Sequence, residues 1–128
     1  MKRLSLILIA FLLTSGLKAQ INSIVLGRPT DTSITVSVLF NTSMQFFIEY
    51  GTATGNYSFS TTSINHSLNV PDEVDLRNLL PNTKYFYRLK YKTSSASTFS
   101  YSPEYTFYTQ RAKGSTFTFT IETDEHLY

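Results

Sequence analysis

Cysteine and tryptophan are absent from this sequence, and glycine is scarce, with five in 128 residues. Without cysteine there is no disulfide, so an exported form must be held together by packing alone. Neither a thiolate metal site nor a cysteine nucleophile can be built. No Gly-rich phosphate loop, nucleophile elbow around a serine, or pair of catalytic carboxylates occurs. Helical periodicity is missing after the first twenty residues. A strong net charge is missing too. The formal +2 includes Lys2, Arg3 and Lys18 of the N-terminal segment, and without them eight basic residues face nine acids, a net −1. The one basic feature is the outward side of the Lys84–Lys92 segment, which suits a solvated strand face. Nucleic acid is not implied.

What is present is aromatic. Nine Tyr and ten Phe suit a β-rich core, because such side chains fit a pleated, half-covered surface. The length allows one ordinary domain.

The N-terminus reads as a secretory signal peptide: basic Lys2 and Arg3, an apolar run from Leu4 to Leu13, then small residues ending at Ala19. The apolar run covers about 15 Å at roughly 1.5 Å per residue, half a bilayer core, which is short for an anchor. Cleavage after Ala19 is therefore expected, giving a secreted or periplasmic product with no stable membrane span. No cysteine follows, which excludes a lipid-anchored form.

The chain from Gln20 is organised around Leu76–Tyr91, LRNLLPNTKYFYRLKY. Pro81, Asn82 and Thr83 are turn chemistry. From Lys84 the pattern alternates, with Tyr85, Tyr87, Leu89 and Tyr91 on one face and Lys84, Phe86, Arg88, Lys90 and Lys92 on the other. A Tyr just after such a corner can tie its hydroxyl back to the turn, and Tyr85 is the candidate. Other strands are expected at Ile21–Gly27, Ser33–Phe40, Met44–Tyr50, Tyr57–Thr61 (a weak edge) and Ser102–Gln110. Pro71 confines the first half of His66–Leu76 to an edge or bulge. About seven short strands separated by turn signals argue an all-β sandwich. His66 reads as an exposed loop residue with no partner at ligand spacing. Asn41, Asn56 and Asn65 each open a glycosylation sequon on an expected loop. Arg28, before Pro29, is a candidate contact for a following domain.

Leu79-Leu80-Pro81-Asn82-Thr83-Lys84-Tyr85 resembles the fibronectin type III signature around the sixth strand. In that resemblance Leu79, Pro81 and Tyr85 are structural residues. Fibronectin modules usually carry a core Trp on the second strand; here stand Ile34, Val36 and Val38, which makes this a divergent member. The series Ile48-Glu49-Tyr50-Gly51-Thr52, Gly55-Asn56-Tyr57-Ser58, Tyr85-Phe86-Tyr87-Arg88 and Tyr105-Thr106-Phe107-Tyr108-Thr109 resembles the fibronectin-like domain at the N-terminus of purple acid phosphatases and related secreted metallophosphoesterases. The division expected is a signal at 1–19, the sandwich at 20–110, a linker at 111–114, and at 115–128 the first strand and first metal motif of a truncated catalytic domain.

That last segment, Ser115–Ile121, reads STFTFTI, the pattern of an inner strand. Asp124 and His126 follow it, two apart and so projecting to the same side, where a carboxylate and an imidazole can share one iron, manganese or zinc ion. The metallophosphoesterase resemblance implies that these two ligate the first of two metals, whose bound hydroxide attacks phosphorus in a phosphoester substrate. The Gly-Asp, Gly-Asn-His and Gly-His-x-His blocks that would complete the site are not in the 128 residues. Two ligands do not make a dinuclear centre, so this chain alone is expected to hold no metal pair and to hydrolyse nothing. Its expected partner is the missing C-terminal catalytic domain. The competing reading is a free-standing secreted fibronectin-like binding or adhesion module whose exposed aromatics meet a protein or glycan.

Overall fold

A computed structural model describes residues 21–121, and within them every regular element is a strand. In chain order these are β1 (Ile21–Gly27), β2 (Ser33–Phe40), β3 (Met44–Gly51), β4 (Phe59–Ser60), β5 (Ile64–His66), β6 (Asp72–Arg77), β7 (Lys84–Lys92), β8 (Ser100–Tyr101) and β9 (Tyr105–Tyr108). All pairings are antiparallel. One sheet has the order β1-β2-β6; the other runs β4-β3-β7-β8, with β5 also on β3 and β9 also on β7. β4 and β5 are thus two halves of one edge position, and β8 and β9 two halves of the other. The nine segments occupy seven strand positions of an all-β, fibronectin-like sandwich. Interrupting both edges of the larger sheet shortens the unpaired backbone offered to other chains.

The alternation in β2, β3 and β7 sets the core. Val36, Val38 and Phe40 from the smaller sheet meet Phe46, Ile48, Tyr85, Tyr87 and Leu89 from the larger one, all buried. Each such side chain contributes roughly 1.5–3 kcal/mol on leaving water. Phe40 joins the layers: its ring centroid lies 5.4 Å from Phe46 and 5.6 Å from Tyr91. At the other end Tyr85 stacks on Phe107 at 5.4 Å and 13°.

The turn into β7 is tied at several points. Asn82 takes a left-handed conformation, φ 49°, which Asn tolerates. The Leu80 N–H donates to the Tyr85 hydroxyl at 2.9 Å, and the Asn82 N–H to the Gln110 carbonyl at 2.8 Å. Leu79 is buried beside this corner, while Pro81 is exposed.

Two expectations are corrected. His66 is not an exposed loop residue: it ends β5, and its imidazole is fully buried. Its Nδ1 lies 2.6 Å from Asp72 Oδ2, a hydrogen-bond partner. The sequence hid this because the 67–71 turn, with Asn69 at φ 62°, folds the chain back so that residues six apart meet across the two sheets. Asn65, expected on a loop, lies in β5. Residues 115–121, expected to open a further domain, pair with no strand of the sandwich, and Phe117, Phe119 and Ile121 are 71%, 68% and 76% exposed. The apolar pattern supplies a face but no neighbouring strand on which to form a ladder.

Candidate functional site

Ala19, Asp124 and His126 lie outside the described residues. Among the described residues no group of three or more His, Asp or Glu is placed to hold a metal. No helix among them is long and apolar enough to cross a membrane. The polar chemistry gathers instead in three places.

The first is the outward face of the larger sheet. Register sets Gln45 opposite Lys92, Phe47 opposite Lys90 and Glu49 opposite Arg88. On the far edge Tyr101 pairs with Lys90 and Tyr108 with Lys84. Every cation of β7 lies near an aromatic ring: Lys84 over Phe86 at 5.0 Å, Arg88 over Tyr57 at 4.4 Å and Tyr101 at 5.0 Å, Lys90 over Phe47 at 5.9 Å, Lys92 over Phe99 at 4.9 Å. The attraction is electrostatic, a cation against the negative face of the ring. Glu49 takes Arg88 at 2.9 Å and Lys90 at 3.6 Å. The alternation in the sequence revealed the cations; the interleaving of rings from β3, β8, β9 and the 57 and 99 positions needed the fold.

A loop straps this face. Residues 52–58 leave β3 and reach Glu104, on the opposite side of β7 between β8 and β9. Glu104 accepts from the Thr54 hydroxyl, from the Gly55 N–H at 2.8 Å and from the Tyr57 hydroxyl at 2.5 Å. These bonds, that of Thr54 first, hold the Glu104 carboxyl below its usual range. Partial burial and then the bond to Glu104 raise the Tyr57 phenol. Gly51 makes the strap possible, because a Cβ there would stand 2.2 Å from the Asn56 carbonyl oxygen.

The second place is the outward side of the smaller sheet. Arg28, at φ 47°, donates to Thr35 Oγ1 at 3.2 Å and pairs with Glu73. Thr35 donates to Asp75 at 2.6 Å, and Arg77 meets the same carboxylate at 2.6 Å. Thr35 and then Arg77 hold the Asp75 carboxyl low. Charges on a fully wet surface contribute little stability, but they fix the Arg28 turn. The partners of Arg28 within 21–121 are therefore Thr35 and Glu73.

The third is a pocket of about 350 Å³ where β3, β5 and β7 end, walled by Ser43, Gln45, Asn65, Lys92 and Ser94. Met44 and His66, both buried, also border it. His66 is fixed from behind. Its Nδ1 lies 2.6 Å from Asp72 Oδ2, and its Nε2 lies 3.3 Å from both the N–H and the carbonyl oxygen of Phe40, accepting from the first or donating to the second according to where the ring carries its proton. The five wall residues come from positions 43, 45, 65, 92 and 94, with no motif linking them, so the sequence alone gave no sign of the pocket.

No protein-family model matches the sequence, and no curated protein matches it. Solved structures do. A computer-redesigned β-sandwich protein is 22% identical over 73% of this chain and 96% of its own, with a TM-score of 0.51. The sensor domain of the anti-sigma factor RsgI4 of Pseudobacteroides cellulosolvens is 17% identical, covering 85% of this chain and 94% of that one, TM-score 0.57. The FN1–FN3 domains of chicken CNTN1 are 18% identical over 71% of this chain and 32% of that one, TM-score 0.52. At such identities the likeness establishes a fibronectin-type β-sandwich and nothing finer. It does not point to a phosphatase.

Proposed function

We propose that the sandwich is a non-catalytic module of a secreted or periplasmic protein, and that it carries a metallophosphoesterase domain of the purple acid phosphatase kind on its C-terminal side. The observation that carries this reading is the contrast at Gln110. Up to that residue the backbone is tied in, with the Gln110 N–H donating to Thr30 at 3.0 Å and its carbonyl accepting from Asn82. Beyond it, Phe117, Phe119 and Ile121 are exposed. An alternating apolar segment outside a finished core is an aggregation hazard unless another body covers it. The first strand of a catalytic domain would gain that cover, and Asp124 and His126 would follow at its end as ligands of iron, manganese or zinc. In this role the sandwich contributes packing and position, while the phosphoester would be bound and cleaved by residues after Tyr128.

The test is to read the coding frame past codon 128 and weigh the natural protein. A frame continuing through Gly-Asp and Gly-Asn-His blocks, with phosphatase activity in the product that Asp124→Ala abolishes, is expected. A natural product of the mass of residues 20–128 sinks the enzyme reading. The second reading, a free-standing binding module, is favoured by the aromatic and cationic outward face of β7.

A further inference from the structure

We propose that the pocket at the end of β3, β5 and β7 binds an acidic sugar residue, a uronate within a polysaccharide whose chain continues along the aromatic outward face of β7. Its chemistry is one-sided. Its wall carries two hydroxyls, two carboxamides and one ammonium, and no carboxylate. Among the described residues Lys92 forms no salt bridge; its ammonium rests over Phe99, with its remaining donors free for a ligand. An anion is thus invited, and nothing in the wall repels it.

Size and group type select the sugar over a small inorganic ion. About 350 Å³ is several times the volume of a phosphate or sulfate, and lies at the small end of ligand sites. Ser43, Ser94, Gln45 and Asn65 each offer donors and acceptors, matching sugar hydroxyls, which also do both. Met44 adds an apolar residue to the lining. Beside the pocket, Phe47 and Phe99 meet edge to face at 5.1 Å and offer carbon surface to the C–H face of a pyranose. The track beyond runs along β7 past Lys90 beside Tyr101 as far as Arg88, where Tyr57 and the 52–58 strap cross the face. Tyr101 is 64% exposed. From Lys92 to Arg88, where the strap crosses, the track is about 13 Å long at roughly 3.3 Å per residue, enough for two sugar units.

This site does not depend on a phosphoesterase domain, and the coding frame says nothing about it, so the two proposals fail separately. Asn65 opens a sequon, and a glycan there would fill the pocket, so binding is measured on the full chain produced without N-glycans. The probes are hexamers of galacturonate, alginate and heparin, the galacturonate monomer, and a neutral cellohexaose, followed by calorimetry and by amide shifts in NMR spectra. Binding of at least one acidic hexamer is expected, with shifts at Gln45, Asn65 and Lys92, and at least tenfold weaker binding of cellohexaose. Lys92→Gln should weaken the acidic hexamer tenfold or more while leaving the thermal midpoint within 2–3 °C, since the residue is on the surface. Tyr101→Ala should weaken the hexamer but not the monomer. The proposal is overturned if none of the acidic hexamers binds at millimolar concentration to folded protein. Equal binding of cellohexaose, or shifts confined to the smaller sheet, would overturn it too.

Discussion

Replacing His66 by Phe separates what its hydrogen bonds contribute from what its bulk contributes. The imidazole is fully buried and packs edge-on against Phe40, with centroids 5.3 Å apart. Phe keeps a ring of similar size against that surface, so little cavity opens. What disappears is the pair of bonds that join β5 of the larger sheet to the smaller one: Nδ1 to Asp72, and Nε2 to the Phe40 backbone, whose N–H and carbonyl oxygen each lie 3.3 Å away. The Phe40 backbone groups at that point are buried, so leaving one without its imidazole partner costs about 1–3 kcal/mol. Asp72 retains 27% of its side-chain surface and can turn to water, which limits its loss to about 1 kcal/mol. The total, about 2–4 kcal/mol, is a large part of the stability of a domain this small. It corresponds to a fall in urea midpoint of roughly 1–2 M at the usual slope. Urea titration followed by tyrosine fluorescence reads it directly. Asp72→Ala alone should cost less, and the double variant should lose less than the two single losses combined, because both remove the same bond. A His66→Phe variant as stable as the parent would refute the claim that this histidine fastens the sheets through its nitrogens. Packing alone would then explain its burial.

Three further outcomes follow from the same geometry. Tyr85→Phe removes the acceptor of the Leu80 N–H and should cost about 1 kcal/mol, less than a core truncation, since the corner is only part-buried; thermal unfolding measures it. Gly51→Ala forces a methyl against the Asn56 carbonyl and should release the strap, seen as faster amide exchange at Gly55 with β2 and β6 still protected. The Glu104 carboxyl is depressed in the folded state. Its contribution is therefore present above the ordinary glutamate range near 4.5 and is lost as pH falls through the lower folded value. An NMR titration should show the Gly55 amide and Glu104 moving together below pH 4.5, and Glu104→Gln should erase that response while the parent's smaller sheet stays unchanged.

Local alternation was enough to read β2, β3 and β7, because each has one face in the core and one in water, and a period of two states that directly. Pro81 and Asn82 marked the turn before β7 for an equally local reason. The failures were all matters of what lies opposite. His66 has neighbours in sequence that are polar and turn-prone, and only the folding of 67–71 brings Asp72 to its ring. The pocket draws its walls from three separate strands and two turns, so no window of sequence contains it.

The outward face of β7 shows how far the same alternation is ambiguous about use. Lys, Phe, Arg, Lys, Lys on every second residue is equally the pattern of a face kept wet and of one built to hold an anion. Pairing decides between them. Where solubility is the only demand, cations tend to be matched by acids across the strands, as Arg88 and Lys90 are matched by Glu49. Lys84 and Lys92, at the two ends of the strand, are matched among the described residues by rings rather than carboxylates. A ring lends a cation partial compensation without neutralising it, so the charge remains available to a ligand. The end near Lys92 opens onto a walled pocket, and a concave wall is what converts a weak surface attraction into selective binding.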